Sequence, residues 1–110
     1  MTWDEVMQRI AFKMKLHKGF EAEYKKRHDE IWGELKMLLK KTGITGYSIF
    51  FDKETNYLFA YFTIKDKTQL DTLAEQEIMK KWWNYMADIM ETNEDNSPVT
   101  TPLREVFYLP

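Results

Sequence analysis

Residues 44–65 read ITGYSIFFDKETNYLFAYFTIK, and their side chains leave no face suited to water. Two runs rich in β-branched and aromatic residues, 44–52 and 56–65, flank the short polar connection KET, the composition of a β-hairpin. Side chains alternate across a strand, so Leu58, Ala60, Phe62 and Ile64 share one face of the second run, and Tyr57, Phe59 and Tyr61 share the other. A half-exposed strand would alternate apolar with polar. This one is apolar on both sides, and something must cover each.

Working outward, AFKMKL at 11–16 alternates Phe12, Met14 and Leu16 with Lys13 and Lys15, a strand with one wet face. From about Gly19 to Thr42, the residues Tyr24, His28, Ile31, Trp32, Leu35, Leu38 and Leu39 fall on one helical stripe, closed by Gly43 where a left-handed cap costs least. After the hairpin, 66–75 and 77–90 are helical in pattern, with Asp66 as a cap and Met79, Trp82, Trp83, Met86 and Met90 as an apolar band. The polar loop ETNEDNSPVTTP leads to LREVFYL at 103–109, an alternating strand with Leu103, Glu105, Phe107 and Leu109 on one side. The order βαββαβ predicts an α+β, ferredoxin-like fold with both helical segments on one face of an antiparallel sheet. A second copy of the same sheet is the simplest cover for the other face, so a homodimer, a dimeric α+β barrel, is expected.

The 110 residues suffice for one domain with a real core, and 44% hydrophobic with 15% aromatic residues exclude disorder. A net charge of -2 supplies no footprint for nucleic acid. The absence of cysteine excludes disulfides, thiol catalysis and thiolate metal sites. No run of 18 apolar residues exists to span a membrane, and MTWDEVMQRI does not read as a secretory signal, so a cytoplasmic protein is expected.

The chain has two histidines and points one of them, His28, inward on its first helix. A lone inward histidine has ordinary explanations, a ring hydrogen-bonded to backbone or one capping the core edge. Tyr24 lies one turn earlier on the same stripe, however, and two polar groups converging inside an aromatic band point to a pocket. Trp82 and Trp83 are adjacent, about 100° apart around a helix, so one must lean toward a rim. A flat aromatic wall edged by polar tips suits a sugar, and Tyr47, Tyr57 and Tyr61 are further candidates for tips, each more often a packing residue. No metal site is expected. His17 and His28 have no third nitrogen or sulfur ligand, and ETNEDN has Asn96 where a calcium loop needs glycine and Pro102 where it needs glutamate.

Taken together, KMKLHKGFEAEYKKRHDEIWGELKMLLKKTGITGYSIFFD, NYLFAYF, KKWWNYMADIM, NEDNSPV and LREVFYLP resemble the L-rhamnose mutarotase family from about Met7 to Pro110. The tyrosine and histidine of the YxxxH pair, the tandem tryptophans before YM and the NEDNSPV loop stand in that family's order and spacing. The resemblance implies an enzyme that interconverts the α and β anomers of L-rhamnose, a small-molecule substrate, as a homodimer without metal or cofactor. It makes His28 the proton donor and Tyr24, Tyr47, Trp82 and Trp83 sugar-binding positions. The family usually has proline where this chain has Gly33 and Glu94, and Gly33 should loosen the helix at that turn. Residues 1–6 have no counterpart and are expected to be an extension without a role, with 7–110 as the single domain.

Anomer exchange needs the ring oxygen protonated and the anomeric hydroxyl deprotonated, and an imidazole with an ordinary pKa of about 6.5 can do the first near neutral pH. Tyr24, Asp29, Asp88 or a water is left as the candidate base. The rival reading is a non-catalytic or haem-handling dimeric α+β barrel protein, in which the same histidine would bind iron or nothing.

Overall fold

A computed structural model describes residues 7–110, and the six residues before them, assigned no role above, lie outside the described part. The elements are β1 (Gln8–Lys15), α1 (Glu21–Asp29), α2 (Gly33–Thr42), β2 (Thr45–Phe51), β3 (Tyr57–Ile64), α3 (Gln69–Glu75), α4 (Glu77–Met86) and β4 (Thr101–Pro102). The strands form one antiparallel sheet in the order β2-β3-β1-β4, so the hairpin's second strand is central and bonded on both sides. The α+β class and the βαββαβ order stand, with each helical segment in two pieces.

The helices cover the face carrying Leu58, Ala60, Phe62 and Ile64, all buried. Leu16, Tyr24, Leu35, Trp82, Met86 and Ile89 close over them, each large apolar side chain worth roughly 1.5–3 kcal/mol. On the opposite face Phe50 stands across from Phe59, and Tyr61 lies between Ala11 and Ser48. Phe50 is 66% exposed and Tyr61 remains exposed, so no element among the described residues covers this side. Gly43 takes the expected left-handed cap (φ 98°), its N–H donating to Lys40 O at 3.0 Å while that of Ile44 reaches Leu39 O. Asp66 serves the turn just ahead of α3, accepting from the N–H of Thr68 at 3.0 Å and from its hydroxyl at 2.6 Å.

Two expectations need correction. The helix predicted from Gly19 to Thr42 is two helices, because Trp32 is extended (φ -59°, ψ 133°) and α2 begins afresh at Gly33. Gly33 is a poor residue for carrying a helix onward. The stripe survives the break: Ile31 and Trp32 still pack on the core beside Leu35, Leu38 and Leu39. The strand predicted over 103–109 is also absent. Pairing with β1 stops at Pro102, apart from one bond from Leu103 N–H to Ala11 O at 2.9 Å. Beyond it the backbone leaves the β1 edge, although β1 itself runs back to Gln8, and Val106, Phe107 and Leu109 are exposed. Arg9 holds this tail, pairing with Glu105 and lying 3.5 Å over the Tyr108 ring.

Trp32 already has the extended backbone favoured before proline, and Gly33 occupies the first helical position, where proline loses no helical bond. A Cβ built on Gly33 meets nothing within 4 Å. Gly33→Pro is therefore expected to stabilise the protein by about 0.4–1 kcal/mol, mainly by restricting the unfolded chain. Chemical denaturation should show the gain as a higher midpoint at unchanged slope, and a loss of stability would contradict this account of the break.

Candidate active site

α1 is charged along most of its length and buries only Tyr24 among its nine residues. That single anchor sets the facing of the helix, and His28, one turn on, stacks on the Tyr24 ring with centroids 4.2 Å apart. Across from them α4 brings up Trp82, whose buried indole meets the His28 ring edge-on at 5.4 Å and 89°. Trp32 and Tyr85 complete this wall, with centroids 5.1 and 5.6 Å from Trp82. The helical rule for adjacent tryptophans holds, since Trp82 is buried and Trp83 is only partly so.

Tyr24, His28, Tyr47, Trp82 and Trp83 all border one cleft of about 1610 Å³ between the helices and the sheet. Tyr47 comes from a bulged part of β2, where the register shifts between Thr45 and Ser48 and Gly46 takes φ 61°. Tyr47 shares the parity of Ile49 and Phe51, which pack on the core, so alternation puts its ring on the helix-covered side, 5.2 Å from Phe62. Tyr57 and Tyr61, the other candidate tips, do not reach the cleft. They are odd-numbered residues of β3 and face the uncovered side, where Lys13 and Lys15 lie 4.4 and 4.9 Å over the Tyr57 ring. His17 is exposed and does not border the cleft either.

The His28 ring is oriented by its Nδ1, which lies 3.0 Å from the carbonyl oxygen of Tyr24. A carbonyl oxygen only accepts, so Nδ1 carries the hydrogen and Nε2 is the nitrogen left for chemistry. Burial lowers the pKa of the ring, opposed by the Tyr24 carbonyl and by Asp29. Loss of water raises the Tyr24 phenol, with a further push from Tyr47, which places the two hydroxyls in one neighbourhood. Tyr47, although 40% of its residue surface is exposed, is pushed up to about 12 by desolvation. Both phenols remain neutral donors at neutral pH.

Two of the carboxylates weighed as base are occupied elsewhere. Asp88 is paired with Arg27 at 2.9 Å and Asp29 with Lys25 at 2.9 Å. Sequence reasoning missed Arg27, which reads as an ordinary solvated charge beside His28, and it gave no role to Asn93 and Ser97, which border the cleft. Their loop was visible in NEDNSPV. It is folded on itself by Asn93 N–H to Ser97 O at 2.8 Å and tied to α4 by Asn96 Nδ2 to Asn84 Oδ1 at 3.0 Å, next to Trp83. Among the described residues no three histidines or carboxylates gather closely enough to hold a metal ion.

Comparison with known proteins places these residues in context. The family model described as L-rhamnose mutarotase matches residues 9–109. L-rhamnose mutarotases from Formosa agariphila and from Bacteroides thetaiotaomicron are each 57% identical over 103 residues, 94% of this chain and 99% of theirs. The crystal structure of an L-rhamnose mutarotase from Formosa agariphila superposes with a TM-score of 0.87 at 56% identity, covering 94% of this chain and 99% of that one. A conserved protein from Methanosarcina mazei reaches a TM-score of 0.62 at 14% identity over 93% of this chain and 95% of its own, a likeness of fold alone.

The depressed pKa of His28 has a consequence for stability. The unfolded chain takes up a proton on this ring near pH 6.5, whereas the folded chain does so only at lower pH. The folded state is thus fully favoured above pH 6.5 and loses this contribution as pH falls through the folded value. The melting temperature of the parent should fall relative to that of His28→Gln as pH is lowered below 6.5. Parallel melting curves over that range would show that the ring is not desolvated.

Proposed function

The chain belongs to the L-rhamnose mutarotase family and is an anomer-exchanging isomerase, and on that premise we propose how the cleft works, with His28 as the proton donor to the ring oxygen of L-rhamnose. The observation that carries the reading is the Nδ1 contact to the Tyr24 carbonyl, which commits Nε2 to the substrate. Opening the pyranose breaks the bond between the anomeric carbon and the ring oxygen. The net proton movement is from the anomeric hydroxyl to that ring oxygen, two atoms bonded to the same carbon. One nitrogen can accomplish this: neutral Nε2 takes the hydroxyl proton and the imidazolium so formed delivers it to the ring oxygen. Rotation of the open aldehyde and the reverse transfers give the other anomer, and the ring ends as it began.

Burial supports the cycle by keeping the resting imidazole neutral and therefore able to accept the first proton. Tyr24 and Tyr47, held as phenols, would bond to the sugar's oxygens, and Trp82 and Trp83 would supply the apolar wall. The rival reading, a non-catalytic or haem-handling dimeric α+β barrel protein, rested on the fold and an inward histidine, whereas the family match extends over residues 9–109 and supports the sugar. The cytoplasm, where such an enzyme would meet free monosaccharide, belongs to the same proposal.

The homodimer is also proposed here. The uncovered sheet face carries Phe50, Phe59 and Tyr61 with Lys13 and Lys15 at one side, and pairing with a second copy about a two-fold axis would bury the same residues of both chains.

Two measurements check these readings. Saturation-transfer NMR on L-rhamnose should show anomer exchange well above the uncatalysed rate with the parent. His28→Asn should lose at least about a hundredfold, the lower range for a proton-transferring group, and exchange at the parent rate by this variant would end the proton-donor assignment. Sedimentation should give a parent particle of two chains that Phe59→Glu splits into single ones; a monomeric parent would overturn the dimer.

A further inference from the structure

We propose that Arg27 is a positioning residue, fastening α1 to α4 so that the His28 imidazole keeps its edge-on relation to Trp82 within the cleft. The inference rests on the proposed function for its catalytic meaning, but its geometry is independent. Its starting point is how little else holds α1. One of nine residues is buried, the chain breaks at 30–32 before α2, and the other ion pair of α1, Lys25 with Asp29, stays on its exposed face.

Arg27 supplies what the helix lacks. Its side chain is 11% exposed, low for an arginine, and its guanidinium is shared among three acceptors. Nε donates to Glu23 at 2.8 Å, one turn back on α1. Nη1 donates to the Tyr85 carbonyl at 2.7 Å and to Asp88 Oδ1 at 2.9 Å, while Nη2 reaches Asp88 Oδ2 at 3.3 Å. The Tyr85 carbonyl belongs to the last turn of α4, where helical partners run out and a cation is welcome. The fork on Asp88 fixes direction as well as distance, which an ammonium would not do.

The contacts close into a ring. Arg27 and His28 are neighbours on α1, and Trp82 and Tyr85 are one turn apart on α4. The guanidinium carbon lies 4.5 Å over the Tyr85 ring, Tyr85 packs on Trp82, and Trp82 meets His28. Sliding either helix would break the fork and the aromatic contacts together. A displacement of about 1 Å at a reacting group can cost as much as a hundredfold in rate, so a ring of this kind acts on turnover more than on affinity.

The test uses the full chain with Arg27→Met, Arg27→Lys and Asp88→Asn, read in two ways. Saturation-transfer NMR over a range of L-rhamnose concentrations separates kcat from KM, and nuclear Overhauser effects between the His28 and Trp82 rings report their contact without substrate. Arg27→Met is expected to lower kcat about tenfold or more with KM within about threefold, and to weaken the ring-to-ring effects. Arg27→Lys should recover only part of the rate, because it restores charge without the fork. Unchanged kcat, or a fall in kcat with the ring contacts intact, would overturn the positioning role. Should Arg27→Met not fold, Asp88→Asn carries the test, since it keeps the Glu23 and Tyr85 contacts. Its kcat should fall less, in the same direction, and parental kcat would refute the proposal. A parent that exchanges no rhamnose would sink the sugar reading, while weakened ring contacts in the variants would still support the fastening by Arg27.

Discussion

β3 sits in the middle of the sheet with apolar side chains on both faces, and the rest of the molecule answers to it. Its even-numbered residues can leave water only beneath helices, so α2, α3 and α4 gather on that side with Leu16, Leu35 and Ile89 filling between. Its odd-numbered residues remain on a surface that the described residues do not close. One strand thus sets where the core lies, on which side the cleft can open and which apolar face the described residues leave bare.

The cleft depends on a different economy. Its polar groups sit among hydrocarbon and aromatic rings, and each is kept in a defined protonation state by what it touches. The carbonyl of Tyr24 holds one nitrogen of His28 and leaves the other free, desolvation favours the uncharged ring, and the same desolvation keeps two phenols protonated. A sugar needs this combination of neutral hydrogen-bond donors, an aromatic wall and a group able to exchange a proton. Charged residues at its edge are paired, Asp29 with Lys25 beside the cleft and Asp88 with Arg27 across α1 and α4.

Much of this was readable in one dimension because the signals were local. The Tyr24 to Leu39 stripe, the glycine cap at Gly43, the hairpin and the apolar band from Met79 to Met90 follow from spacing alone, and the YxxxH pair placed an imidazole and a phenol on one face. The errors arose where local pattern and tertiary environment part. The stripe runs through 30–32 without a flaw, yet the backbone there opens before Gly33, because side-chain spacing records which way residues face and not whether the hydrogen bonds between turns persist. LREVFYL alternates as a strand should, but alternation records which way side chains face and not whether the backbone bonds to the β1 edge beside it, which past Pro102 it does only at Leu103. Tyr47 was separated from Tyr57 and Tyr61 only by the family resemblance, and the physical cause of the difference is parity: Tyr47 alternates in step with the core-facing Ile49 and Phe51, Tyr57 and Tyr61 out of step with the core-facing Leu58 and Ala60.

Composition and periodicity thus determined the class of fold, the order of its elements, the apolar character of both faces of the hairpin and the identity of an inward histidine. Those are properties of residues near one another along the chain, where the periods of 3.6 and 2 act directly. Tertiary structure alone decided that Arg27, 58 residues before Tyr85 and 61 before Asp88, binds them both, that Tyr47 faces the cleft and that Nε2 is the free nitrogen of His28. Such facts depend on distances between separate elements, which arise only when burial has brought those elements together.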